Sequence, residues 1–146
     1  MKNYTSSVSA ETTIGRIETI LASYGATHTA KNYENGRVTS LTFSVRGPND
    51  AQIQIRLPVN VEAVFKVLFS EIGRPRRGTE ARLKDQALRT AWKLMQDWVE
   101  VQLALISMKQ ADLLQVFLPY VWNGTETFYH RIQMSNFKML KPPEEK

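Results

Sequence analysis

Apolar positions along the chain follow three regimes, helical spacing first, then strict alternation, then helical spacing again over a long stretch. Ile14, Ile17, Leu21 and Tyr24 recur at intervals of three and four behind Ser9, which stands where an N-cap would, and predict a helix over residues 10–24. Gly25 follows as its C′ residue, since glycine takes the left-handed conformation without a steric cost. From Ala26 to Leu57 the period drops to two. Asn35-Gly36 supplies two positive-φ residues between a strand near residues 27–33 and another over 37–46. Leu41, Phe43 and Val45 face one way there, and Ser40, Thr42, Ser44 and Arg46 the other. Gly47-Pro48-Asn49-Asp50 turns the chain again, and Ile53, Ile55 and Leu57 alternate with Gln52, Gln54 and Arg56. A three-stranded antiparallel meander is expected, apolar on one face. Its polar face carries none of the aromatics that sheets use to stack single-stranded RNA bases, which argues against that kind of module.

Pro58 ends the meander and Asn60 can cap a short amphipathic helix built on Val61, Val64, Phe65 and Leu68, ending near Ser70. Beyond the turn Gly73-Arg74-Pro75-Arg76-Arg77-Gly78, residues 79–110 read as one long helix. At 100° per residue Leu83, Ala87, Ala91, Trp92, Val99 and Val101 fall within an apolar half, and Arg82, Asp85, Arg89, Lys93, Gln96 and Glu100 on the polar half. Trp92 and Trp98 lie toward opposite margins of the apolar arc, and packing in the core explains them better than ligand stacking does.

The C-terminal third alternates aromatic and β-branched residues around a second Asn-Gly pair. Phe117 to Trp122, Asn123-Gly124, and Thr125 to Ile132 predict a terminal hairpin, with Pro119 requiring an edge or a bulge because it cannot donate to a ladder. Residues 141–146 contain no apolar side chain beyond two prolines and are expected to be disordered. The predicted architecture is thus α+β: a three-stranded antiparallel meander plus a C-terminal hairpin, packed against a long helix and two shorter helices, in one domain over residues 1–140. A strand-like propensity is also read at Tyr4 to Val8.

Charge adds a location to this outline. The chain has a formal net charge of +5 over 146 residues. Gly73 to Lys93 holds seven basic residues against two acidic ones, and the remainder carries twelve of each, so the whole excess lies in this one stretch. On the helix, Arg82 with Asp85, Asp85 with Arg89, and Lys93 with Asp97 have ion-pair spacing. The turn arginines lie outside the helix and have no such partners on its face. Arg74, Arg76 and Arg77, extended by Arg82 and Lys93, are therefore the candidate contacts for an anionic partner, against the competing reading of an ordinary solvated basic loop.

Catalytic chemistry finds little foothold. The chain has no cysteine, which excludes thiol catalysis, iron–sulfur ligation and a disulfide framework, and makes an intracellular compartment the expectation. Its two histidines, His28 and His130, fall on different predicted strands. Asp97 and Glu100 share a helix face with no histidine near in sequence, and read as solvated. Phosphate-binding glycine loops and nucleophile elbows are missing. No apolar run reaches the length of a signal-peptide core at the N-terminus or of a membrane span. A non-enzyme without cofactor or metal is expected.

Several segments resemble a known group. Arg89-x-x-Trp92-Lys93 in a long helix, then Phe117-Leu118-Pro119-Tyr120 and the turn Asn123-Gly124-Thr125, resemble small proteins encoded by phages, prophages and other mobile elements. The N-terminal Tyr4-Thr5-Ser6-Ser7-Val8 and the helix end Tyr24-Gly25-Ala26 are similar to theirs as well. The resemblance covers most of the chain and implies no activity. Two expectations follow: an accessory protein binding nucleic acid through the basic loop, or an inhibitor of a host defence protein. In the second case Tyr120, Trp122, Phe128 and Tyr129 are candidate interface anchors. Either would act in the cytoplasm of a bacterial or archaeal host.

Overall fold

The computed structural model describes residues 6–144, so Tyr4, Thr5 and the last two residues of the expected tail lie outside the described residues. Ser6 to Val8 form no strand, and 141–144 carry no regular element. Helix α1 spans Ala10–Ser23, with the Ser9 side chain accepting from the Thr12 amide at 3.2 Å. It ends in a Schellman motif: Gly25, at φ 102°, and Ala26 donate to the carbonyls of Ala22 and Leu21. Strands β1 (His28–Glu34), β2 (Arg37–Arg46) and β3 (Gln52–Pro58) form the expected meander, with Asn35 and Gly36 both at positive φ in the first turn.

One feature of β2 departs from simple alternation. A bulge at Thr39, between the pairs Asn32–Ser40 and Tyr33–Val38, returns Val38 to the face of Leu41, Phe43 and Val45, where it is buried. Edge strand β1 is exposed almost throughout. Its inward Thr29 and Lys31 both bond Glu18 of α1, at 2.6 and 3.2 Å, and a charge pointing inward from an edge discourages pairing with another chain.

Asn60 caps α2 (Val61–Ser70) by accepting from the Ala63 amide. Helix α3 then runs Thr79–Ser107 and stops where Lys109 turns left-handed, with Gln110 and Lys109 donating to Leu105 and Ile106. It packs against both α1 and α2 over one face of the sheet. Trp92 is wholly buried rather than marginal, its indole nitrogen donating to the Val38 carbonyl at 3.3 Å. Gln96, placed by angle among polar positions, is buried because α1 covers that flank, whereas Val101, on the apolar half, is 56% exposed.

The terminal hairpin does not form. After α3 come helix α4 (Leu113–Phe117), a 3-10 turn over Leu118–Tyr120, a two-residue strand β4 (Val121–Trp122) and helix α5 (Phe128–Met134). The turn after Trp122 is tight as expected: the Asn123 side chain accepts from the Thr125 and Glu126 amides, and Trp122 bridges Thr127. Thr127 then accepts from the His130 amide and starts a helix instead of a returning strand. Asp112 and Gln115 form a reciprocal capping box for α4. Pro119 sits in the 3-10 turn, so no ladder bond is at stake. Among the described residues the two shorter helices expected are four, and the sheet has four strands in the order β1-β2-β3-β4, all antiparallel.

Helix α4 closes the end of the core. Phe117 is wholly buried and meets Phe43 and Trp98 edge to face at 5.5 and 5.6 Å, and Trp98 meets Tyr120 at 5.5 Å. Such pairs add about 0.5–1.5 kcal/mol each beyond the area they bury.

Candidate functional site

Helix α2 turns back along the first part of α3, and the connection between them carries the arginine cluster. The turn is closed on Arg76: its amide donates to the Thr79 hydroxyl at 2.9 Å, and the Thr79 amide donates back to the Arg76 carbonyl at 3.0 Å. Thr79 is buried, so this closure is anchored in the domain. Gly78, at φ 84°, takes the left-handed step that brings the chain into α3.

Arg74, Arg76, Arg77 and Arg82 are exposed, and among the described residues their side chains make no ion pair or hydrogen bond. The neighbouring charges on α3 are spoken for. Lys84 pairs with Glu80 at 3.3 Å, and Asp85 pairs with Arg89 rather than with Arg82. Gly78 offers no side-chain cap, and the Glu80 and Ala81 amides have no hydrogen-bond partner among the described residues. The positive end of a 29-residue helix thus stands beside four unpaired guanidinium groups. Guanidinium is permanently protonated, so this arrangement can hold phosphate or carboxylate groups but cannot shuttle protons.

Lys93 and Arg89 are placed differently. Lys93 lies on the same side of α3 as Arg82 but about 16 Å farther along the axis. Its ammonium is 2.9 Å from Asp97, which removes much of its free charge. The Arg89 side chain donates through Nε to the Ser6 carbonyl at 2.9 Å and through Nη2 to Gln86 at 2.8 Å, tying the segment before α1 to α3. Its role is mechanical, and nothing in the spacing foretold a partner 83 positions away.

The four aromatic candidates do not share one surrounding. Tyr120 is half-buried beside Trp98, on an apolar groove of about 320 Å³ between α2 and α3 that Val64 and Met95 also line. Trp122 lies on the polar face of the sheet beneath Arg56, whose guanidinium carbon is 4.3 Å from the ring centroid. Phe128 is half-buried on α5, and Tyr129 is 51% exposed, facing Phe137 at 6.4 Å. Trp122 also corrects the expectation that the polar face has no aromatic, because pairing of β4 with β3 adds one.

His28 begins β1, while His130 is on α5 near Glu126, so the two remain on separate elements of different kinds. Among the described residues no cluster of three or more histidines and carboxylates could hold a metal ion, and no helix is long and apolar enough to cross a membrane. Comparison with protein-family models, with curated proteins and with solved structures gave no match for this chain.

Proposed function

We propose that this chain is a non-catalytic accessory protein that binds nucleic acid through the turn between α2 and α3. The observation that carries the reading is the set of four arginines, Arg74, Arg76, Arg77 and Arg82, left unpaired beside the N-terminus of α3 while every neighbouring charge on that helix has a partner. Arginine is suited to phosphate because its planar fork matches two oxygens at once. The resemblance to mobile-element proteins is the ground for placing the activity in such an element.

Contacts to phosphates alone give modest, sequence-independent affinity that falls steeply with salt. Fluorescence anisotropy with labelled DNA and RNA at low and moderate salt tests the reading. Association at low salt that weakens as salt rises, and that is lost in the Arg74→Ala, Arg76→Ala, Arg77→Ala triple variant, supports it. Absence of association with any nucleic acid at low salt rejects it.

A second reading, an inhibitor that binds a host defence protein, draws on the exposed apolar side chains at the C-terminal end. Tyr129, Met134, Met139 and Leu140 are each more than half exposed, and aromatic and methionine side chains are favoured in protein interfaces. A stoichiometric complex with one host protein that survives reversal of the loop charges distinguishes it.

A further inference from the structure

We propose that the uncovered face of the sheet is a platform for a single strand of nucleic acid, with Trp122 as its stacking residue and Arg56 as the cation beside it. The partner class rests on the reading above; the surface and the single-stranded form are additional.

The register decides where the indole goes. Val121 stands opposite Ile55, which is wholly buried, so Trp122, opposite Gln54, emerges on the other side. The pairing aligns His28, Ser44, Gln54 and Trp122 in one row across all four strands. Three interstrand steps make that row about 14 Å long. The next row holds Ala30, Thr42 and Arg56.

Arg56 is held in place from two directions. Its Nε donates to the Ser40 hydroxyl at 3.1 Å and its guanidinium lies over the Trp122 ring. Its terminal nitrogens make no hydrogen bond among the described residues, which leaves them as donors for a phosphate.

Charge complementarity selects the occupant. From His28 to Asn32, from Ser40 to Arg46 and from Gln52 to Arg56, no outward-facing position holds a carboxylate. The face offers hydroxyls and amides, which both donate and accept, and its charges are the arginines Arg46 and Arg56. Arg46 is shared with Asp50 at 3.8 Å, leaving Arg56 as the cation next to the stacking surface. A polyanion meets no unpaired carboxylate on these rows. With one ring face covered by Arg56, the single indole can stack only through its other face and only on a base already free of its own stack, so a single strand fits and a duplex does not.

Anisotropy with labelled ten-nucleotide single strands of thymidine or uridine, and with a duplex of equal length, tests this with five proteins: native, Trp122→Ala, Trp122→Phe, Gln54→Glu and the triple loop variant. Trp122→Ala is expected to weaken single-strand binding about tenfold and to leave duplex binding unchanged, since one base–aromatic stack is lost. Trp122→Phe should restore most of the loss. Gln54→Glu, an exposed polar exchange without a packing role, should also weaken the single strand, and it decides the matter if circular dichroism shows that Trp122→Ala does not fold. Native-like single-strand binding by Gln54→Glu and by a folded Trp122→Ala, with loss only in the loop variant, overturns the platform and leaves the loop reading standing. If the native protein binds neither form, both readings fall.

Discussion

Trp92 and Val38 are joined by a buried hydrogen bond, the indole Nε1 donating to the strand carbonyl at 3.3 Å across 54 positions of sequence. The bond stitches the centre of α3 to the bulged part of β2, where the ladder is locally disrupted. Trp92→Phe keeps most of the apolar volume but strands this acceptor, so a loss of about 1–3 kcal/mol is expected. Trp92→Ala adds a cavity and should cost about 3–5 kcal/mol. Urea denaturation followed by circular dichroism measures both, and equal losses for the two variants would mean that the hydrogen bond alone carries the effect.

The meander was legible from the sequence because its signals are redundant. Alternation, Asn35-Gly36 and the Gly47 turn each point to the same three strands, whose bounds the structure follows within a residue, while the bulge at Thr39 carried no signal. The C-terminal third offered only seven residues for α5, fewer than two turns, with Phe128 and Ile132 half-buried and no further repeat to separate period two from period 3.6. The decisive signals there were local polar ones, the Asp112–Gln115 capping box and the Thr127 cap, which an aromatic-rich pattern overshadowed. The charge cluster could be located in the chain, but which arginines stay free depends on Asp85 choosing Arg89, and the face that Trp122 joins depends on a two-residue strand.

Thr79 links the fold to the basic turn. Its hydroxyl accepts from the Arg76 amide, so Thr79→Ala should release the turn without removing any arginine. Loss of such a side-chain acceptor at a helix start costs about 1 kcal/mol. Hydrogen exchange at the Arg76 amide should speed up while the core of β2 stays protected. Salt-dependent binding should weaken less than in the triple arginine variant, and an unchanged Arg76 exchange rate would show that the turn is held by other means.

Arg82 and Lys93 differ in what is available to a partner. Arg82 is exposed and unpaired among the described residues, while Lys93 shares its charge with Asp97. Replacing Arg82 by alanine should reduce the slope of log affinity against log salt by about one phosphate contact, and replacing Lys93 should change it less. Neither change should move stability by more than about 0.5 kcal/mol, as both are surface positions. Paired salt titrations of the two variants settle the ranking, and a larger slope change for Lys93→Ala would place the contact surface along α3 rather than at its start.

Arg89 holds the segment before α1 through the Ser6 carbonyl, and its remaining nitrogens are taken up by Gln86 and Asp85. Arg89→Met keeps most of the aliphatic stem over α3 but removes every one of these bonds. The Ser6 carbonyl then has only the longer contact from Gln86, at 3.4 Å, and Asp85 is left without its partner. A loss of about 1–3 kcal/mol follows from the unmet polar groups. Because Asp85 and Arg82 are one helical turn apart, the freed carboxylate can turn to Arg82 and withdraw one of the four arginines from the basic cluster. The variant should therefore lose nucleic-acid affinity at low salt although Arg89 itself contacts no ligand. Asp85→Ala in the same background should restore that affinity, and failure of the second change to do so would rule out this exchange of partners.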